Sequence, residues 1–215
     1  MSETARLTLP EQTIESAEGA AKPLLKEAKS RTGMVPNMYA NMANVPGLLH
    51  TYNTGYQHFR EDGLFTPPEQ EVVLLTISRS NVCTYCMAAH SMLAEKVSKV
   101  AADVLSALRS GSPIPDEKLA ALSTFTQILV DKRGNATEEQ LRAFLAAGYS
   151  ERQVLGIVLA IAVKTLSNYS NHLFHTPFDA PFRAYEWDQS RKGYQETPST
   201  GISRDVDVDA VPSAG

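Results

Sequence analysis

Apolar residues recur along this chain at spacings of three and four, in stretches separated by short polar or proline-containing breaks. Ile14, Ala17, Ala21, Leu24, Leu25 and Ala28 follow that spacing and predict a helix over 15–31. The stretch "TGMVPNMYANMANVPG" interrupts the pattern at Gly33, Pro36 and Pro46. In "LLHTYNTGYQHF" the aromatic residues Tyr52, Tyr56 and Phe59 fall at i, i+4 and i+7, a stripe that reads as a packing face toward the core or a neighbouring subunit. "FTPPEQEVVLLTISRSN" carries a helix start: Thr66 as N-cap, Pro67 in the first turn, and Glu69 closing a capping box. Val72, Val73, Leu74, Leu75 and Ile77 then make this helix apolar on most sides, which predicts a central, buried position. Ser80 or Asn81 is suited to cap the next helix, and further helices are expected at 99–109, 116–132, 137–146 and 151–174.

No strand pattern is visible, so the expectation is an all-α, single-domain helical bundle. Its parts are an N-terminal arm (1–14), the helical domain (15–190) and a polar C-terminal tail (191–215). The apolar run "VLGIVLAIAV" is too short for a membrane span and reads as a buried core helix, so no membrane partner is expected. Composition changes this picture little: 43% hydrophobic and 20% charged residues are ordinary for a globular chain. The net charge of −4 supplies no basic footprint, which argues against a nucleic-acid partner. "MSETARLTLPEQ" has no charged-then-apolar leader pattern, and the expected localisation is cytoplasmic. In that reducing compartment a cysteine pair is more often catalytic, redox-active or metal-binding than a structural staple.

The candidate chemistry is concentrated in "NVCTYCMAAH", which holds both cysteines of the chain. On an ideal helix Cys83, Cys86 and His90 fall at about 0°, 300° and 340°, so they share a face. A position near the start of a helix lowers a thiol pKa through the dipole, and a histidine one turn on can take a thiol proton or stabilise the thiolate. Glu71, on the preceding apolar helix, needs a buried partner, and the imidazole of His90 is a suitable one. The dipole favours Cys83 as the more acidic thiol and proximity to His90 favours Cys86; a positioned base outweighs a dipole contribution of about 0.3–1 kcal/mol, so Cys86 is preferred. Three rival readings exist. Cysteines can be small core residues. The pair could be half of a zinc site completed by His172 and His175, although a second CxxC is missing. A thioredoxin-type motif would require a βαβ setting. His172 and His175, sharing a helix face with Asn168 and Asn171, read mainly as a polar stripe at a helix end or interface, and otherwise as a wall of the cysteine site; Trp187 reads as a packing anchor.

"EVVLLTISRSNVCTYCMAAH" follows the pattern Glu-x11-Cys-x2-Cys-x3-His and resembles the alkyl hydroperoxidase D-like family of the carboxymuconolactone decarboxylase superfamily. The likeness extends more loosely from "GMVPNMYANMANVPGLL" to "KTLSNYSNHLFHTPFD", segments similar to those of the peroxidase-related branch. The resemblance implies a helical fold and reduction of a hydroperoxide substrate through a dithiol/disulfide cycle, without haem, flavin, metal or other cofactor. It makes Cys86 the peroxidatic nucleophile, Cys83 the resolving thiol, and His90 with Glu71 the proton relay. It further implies an external dithiol reductant and a homo-oligomer, trimer or hexamer. The family pattern has a second histidine between the cysteines; here that place is Tyr85. The alternatives are a non-catalytic redox sensor or assembly protein, and a decarboxylase-like enzyme of the same superfamily, whose chemistry needs no CxxC.

Overall fold

The computed structural model describes residues 4–188, and the tail expected at 191–215 lies outside the described residues. Among the described residues the secondary structure is entirely helical: α1 (Ala21–Thr32), α2 (Asn37–Met42), α3 (Pro46–Glu61), α4 (Pro67–Ser80), α5 (Thr84–Lys96), α6 (Ala102–Ser110), α7 (Glu117–Asp131), α8 (Glu138–Ala146), α9 (Glu151–Phe174) and a 3-10 helix (Ala180–Tyr185). The all-α expectation therefore holds. The first helix begins later than its apolar spacing suggests. Residues before it form turns, with Gly19 at φ 51°, and Ala17 is buried from outside the helix. The N-terminal arm lies along the fold: Leu7 N–H donates to Leu173 O (2.8 Å) and Gln12 N–H to Ala40 O (3.1 Å).

α4 is the central element. Its start is fixed by the capping box, in which Thr66 N–H donates to Glu69 Oε2 (2.9 Å) and Glu69 N–H to Thr66 Oγ1 (3.4 Å). Every side chain from Glu69 to Ser78 is then buried, as the absence of a polar face in the sequence requires. Its apolar side chains share a core with Met87 of α5, Leu122 and Phe125 of α7, Phe144 of α8 and Ile157 of α9.

A second apolar cluster joins Leu25, Met42, Leu49 and Tyr52 to Cys83, Cys86 and Val163, so the cysteines sit where α1, α2, α3 and α9 meet the start of α5. Gly55 lets α3 approach α9 closely, for a Cβ there would lie 2.8 Å from Val163 Cγ2.

α9 corrects one expectation. Its 24 residues are, by length and composition, sufficient to cross a membrane, which the shorter run "VLGIVLAIAV" does not suggest. In the fold it packs against α2, α3, α4, α5 and α7, and buries a polar row of Lys164, Ser167, Asn168 and Asn171. These fall at i, i+3, i+4 and i+7, one face of the helix turned toward the cysteines.

Candidate active site

The α4–α5 turn sets the first cysteine. Ser80 and Asn81 do not start α5 as their capping chemistry suggests; α4 runs on through Ser80, and Asn81 closes it by donating its N–H to Ile77 O (2.9 Å). Val82 takes φ 55°, and Cys83 N–H returns to Ser78 O (2.9 Å). Cys83 is thereby the N-cap of α5 and Cys86 lies in its first turn, at the positive end of the helix dipole. Asn81 Nδ2 donates to Asn168 Oδ1 (2.9 Å), tying the turn to α9.

Both thiols are buried and unoxidised. Asn171 Nδ2 spans them, 3.3 Å from Cys86 Sγ and 3.8 Å from Cys83 Sγ, and Ser167 Oγ is 4.0 Å from Cys86 Sγ. One turn along α5, His90 Nδ1 lies 2.9 Å from Glu71 Oε2. The other carboxylate oxygen of Glu71 accepts from Arg60 Nη2 at 2.6 Å and from Ser98 Oγ at 3.3 Å. Arg60 Nη2 also donates to Tyr56 Oη (2.6 Å). The four residues singled out in the sequence thus come together where α4 packs on α5, with Glu71 and Cys83 behind His90 and Cys86.

The charges follow from these contacts. Burial disfavours the carboxylate of Glu71, but His90 and Arg60 outweigh it and hold its pKa below the usual range. Burial, reinforced by the charge of Lys164, pushes the His90 pKa down despite Glu71. His90 is therefore neutral at pH 7, with Nδ1–H donating to Glu71 and the Nε2 lone pair left as an acceptor. Burial also works against a charge on Cys86, yet the Cys83 hydrogen bond and the charge of Lys164 bring its pKa well below that of an ordinary thiol. Burial and the neighbouring Cys86 push Cys83 well up, so it stays protonated. Tyr56 is buried and its pKa is pushed up to about 12.

Cys86 and His90 open on a cavity of about 650 Å³ whose walls include Tyr39, Tyr52 and Tyr56, with Met38, Lys164 and Phe182. Tyr52 and Tyr56 stack at 5.7 Å between ring centroids, so two members of the aromatic stripe assigned to packing form the cavity wall, while Phe59 remains in the core. Tyr85, at the place of the family's second histidine, turns its hydroxyl away from the relay and donates to Asp179; its ring stacks on Phe178 and meets Phe182 edge-on.

His172 and His175 do not reach the cavity. His172 is exposed, and His175 ends α9 at φ 49° with Nε2 3.3 Å from Thr4 Oγ1. They do not complete a zinc site with the cysteines, and among the described residues no group of three His, Cys, Asp or Glu side chains is placed to hold a metal. The asparagines beside them in sequence are the ones that matter. Asn168 and Asn171 share a helix face in the sequence, and in the structure that face is buried and continues through Ser167 to Lys164. Arg60 gave no such signal beyond lying one turn after Tyr56.

Neither a family model nor a curated protein matches the sequence. Solved structures share its fold. An alkylhydroperoxidase AhpD core, the uncharacterized peroxidase-related protein from Ralstonia eutropha JMP134, superposes with a TM-score of 0.72 at 19% identity, over 85% of this chain and 96% of that one. A peroxidase-related protein from Silicibacter sp. TM1040 gives 0.66 at 17% identity, over 84% and 95%. A cysteine-to-alanine variant of the debrominase Bmp8, in complex with 2,3,4-tribromopyrrole, gives 0.68 at 16% identity, over 85% and 97%. The fold is the alkyl hydroperoxidase D-like fold, as the motif resemblance implied; at these identities the likeness is one of fold.

Proposed function

We propose that the protein is a thiol-dependent hydroperoxidase, with Cys86 as nucleophile, Cys83 as resolving thiol, and Glu71 and His90 as a proton relay. The observation that carries this reading is the placement of Cys86, in the first turn of α5 with Cys83 as its N-cap, 3.3 Å from the Asn171 amide and open on a cavity that Lys164 and His90 also line. A thiolate is the attacking form, and a protonated neighbour can wait to resolve the product.

Cys86 attacks the outer oxygen of the hydroperoxide. The S–O bond forms, the O–O bond breaks, and the leaving oxygen takes a proton to become an alcohol. Cys83 then condenses with the sulfenic acid. His90 Nε2 takes the Cys83 proton and passes it to the departing hydroxide, which leaves as water. An external dithiol reduces the disulfide. The net change is hydroperoxide plus dithiol to alcohol, water and disulfide. The cavity is far larger than hydrogen peroxide requires and mainly apolar, which favours an organic hydroperoxide.

A second reading rests on the Bmp8 likeness and on the tyrosine-lined cavity, which has room for an aromatic ring. The same thiolate would attack the bromine of an aryl bromide, so that an S–Br bond forms as the C–Br bond breaks and the ring carbon takes a proton; Cys83 would then displace bromide, giving up its own proton, as the disulfide forms. Steady-state consumption of hydrogen peroxide, an organic hydroperoxide and a brominated pyrrole, each with an external dithiol, separates the readings. The expected result is turnover of the organic hydroperoxide, abolished in Cys86→Ser. Turnover of the brominated ring alone would replace the first reading with the second. One stoichiometric oxidation without turnover would indicate a redox sensor.

A further inference from the structure

Lys164 is the feature of this site that its sequence motif does not contain. It stands on α9 with zero relative exposure, and among the described residues its Nζ has no hydrogen-bond partner. Its neighbour Val163 is the residue against which Gly55 brings α3 into contact, so a close approach of α3 to α9 helps to set the position of Lys164. The side chain reaches the same cavity as Cys86 and His90. A buried ammonium without a partner is costly, and its presence in a folded protein requires an anion to answer it.

Among the described residues, the charged groups around the cavity leave one candidate. Glu71 is occupied by Arg60 and His90. Asp179 accepts from Tyr85 and from Asn37 N–H (3.2 Å). Tyr39, Tyr52 and Tyr56 are buried phenols whose pKa values are raised, first of all by burial. Arg31, Glu27 and Glu61 are exposed to solvent, which screens them. Cys83 is the protonated member of its pair. The remaining group is the sulfur of Cys86. An imidazolium at His90 could serve the same purpose only if it were charged, and burial together with Lys164 opposes that.

We infer that Lys164 is a catalytic residue: its ammonium is the counter-ion of the Cys86 thiolate, and it delivers the proton that the leaving oxygen of the substrate takes. The site then holds two balanced ion pairs, Arg60 with Glu71 and Lys164 with Cys86, with neutral His90 between them. When the thiolate attacks, the negative charge moves from sulfur to the departing oxygen. The proton from Lys164 neutralises it there, leaving an amine beside an uncharged sulfenic acid. When an external dithiol later reopens the disulfide, the proton of the released Cys86 thiol returns to the amine. No net proton is gained or lost by Lys164 over a cycle. Lys164 thus fills from α9 the place that Tyr85 leaves empty on α5. The inference rests on Cys86 being the reactive sulfur and not on which substrate it meets.

The test is the pH profile of iodoacetamide labelling of Cys86 in a Cys83→Ser background, where the serine hydroxyl keeps the donor, with and without Lys164→Met. The parent should label nearly independently of pH down to the acid side of neutrality. Lys164→Met should return the thiol to about 8.5 or above, which leaves about 1% thiolate at pH 6.5. The higher intrinsic nucleophilicity of the more basic thiolate recovers part of that loss, so the net expectation is labelling about tenfold slower at pH 6.5, with the profiles converging above pH 9.5. Superimposable profiles with a low pKa in both would overturn the role of Lys164 and leave the peroxidase reading standing. An ordinary thiol profile in the parent would overturn both.

Thermal unfolding gives a second readout that a merely structural lysine would not move. Cys86→Ser should lower the Tm when Lys164 is present, because the ammonium loses its anion, and Lys164→Met in that background should restore it. An equal cost of Cys86→Ser in both backgrounds would sink the pairing.

Discussion

His90 Nδ1 and Glu71 Oε2 are 2.9 Å apart, and both side chains are buried. Because Glu71 is ionised and His90 neutral, the proton between them sits on the imidazole, which fixes the tautomer and leaves Nε2 as the basic atom of the site. Glu71 therefore orients His90 and also neutralises Arg60. Glu71→Gln should lose about 3 kcal/mol of stability, since Arg60 is left without its charge partner. His90→Ala keeps the Arg60–Glu71 pair and should lose less stability, while peroxide turnover falls about 100-fold with the loss of the proton relay. Denaturant titration and steady-state kinetics of the two variants check the split. Equal effects on both measures would mean that the pair has a single, structural role.

Stability should depend on pH through three of these groups in the same direction. Glu71, His90 and Cys86 all have folded pKa values below their ordinary ones. In each window between folded and unfolded pKa, the unfolded chain binds more protons, so stability rises with pH. The loss on acidification therefore begins below about pH 8.5 for Cys86, continues below about 6.5 for His90 and ends in the carboxylate range for Glu71. Cys83 acts in the opposite sense, because its raised folded pKa means that stability falls as pH rises above about 8.5. Reduced protein should thus be most stable near pH 8, and Cys83→Ser should remove the decline that sets in just above it, leaving the decline that the buried tyrosines contribute from about pH 10. Melting temperatures from pH 4 to 10 check both arms.

The homo-oligomer expected from the sequence has a face in this structure that could serve it. Leu155, Val158, Tyr169 and Leu173 on the outer side of α9 are 70%, 47%, 56% and 44% exposed. A stripe of this kind on one long helix suits burial against another copy. Light scattering at micromolar concentration should report a species larger than the 23.5 kDa chain, and Leu155→Glu with Val158→Glu should reduce it. A wild-type monomer would reject the expectation, and an oligomer indifferent to both substitutions would place the contact elsewhere.

The helices were legible because their signals are local. The capping box at Thr66 and Glu69 and the apolar turns after it specify α4 directly. The Cys83–Cys86–His90 face was legible for the same reason, since three residues on one helix are related by its period. Groups supplied by other helices were not. Arg60 reaches Glu71 only through the packing of α3 on α4, and nothing in its neighbourhood of sequence marks it. Lys164 follows an apolar run, where it reads as the charged end of that run rather than as a buried group. The stripe Tyr52, Tyr56 and Phe59 was divided by tertiary packing into cavity wall and core, which periodicity alone could not do. Val82 misled the reading of the α5 start, because its left-handed φ of 55° places the helix boundary later than the capping residues suggest.

Asn171 supplies the last prediction, because it touches both sulfurs. Its amide donates to Cys86 Sγ at 3.3 Å and lies 3.8 Å from Cys83 Sγ. A hydrogen bond to a charged group is worth about 1.5–3 kcal/mol, so Asn171→Ala should raise the Cys86 pKa by roughly one unit or more. The two thiols remain three residues apart at the start of α5, so mild peroxide should still join them in an intramolecular disulfide that an external dithiol reverses. Mass spectrometry of the wild type should therefore show loss of two hydrogens. In Asn171→Ala the same product should form more slowly at pH 6.5 and at nearly the wild-type rate at pH 9, where ionisation no longer limits the reaction. Oxidation of Cys86 alone, without a disulfide in the wild type, would remove Cys83 from the cycle. A pH-independent slowing in the variant would mean that Asn171 positions the sulfurs rather than stabilising the charge on one of them.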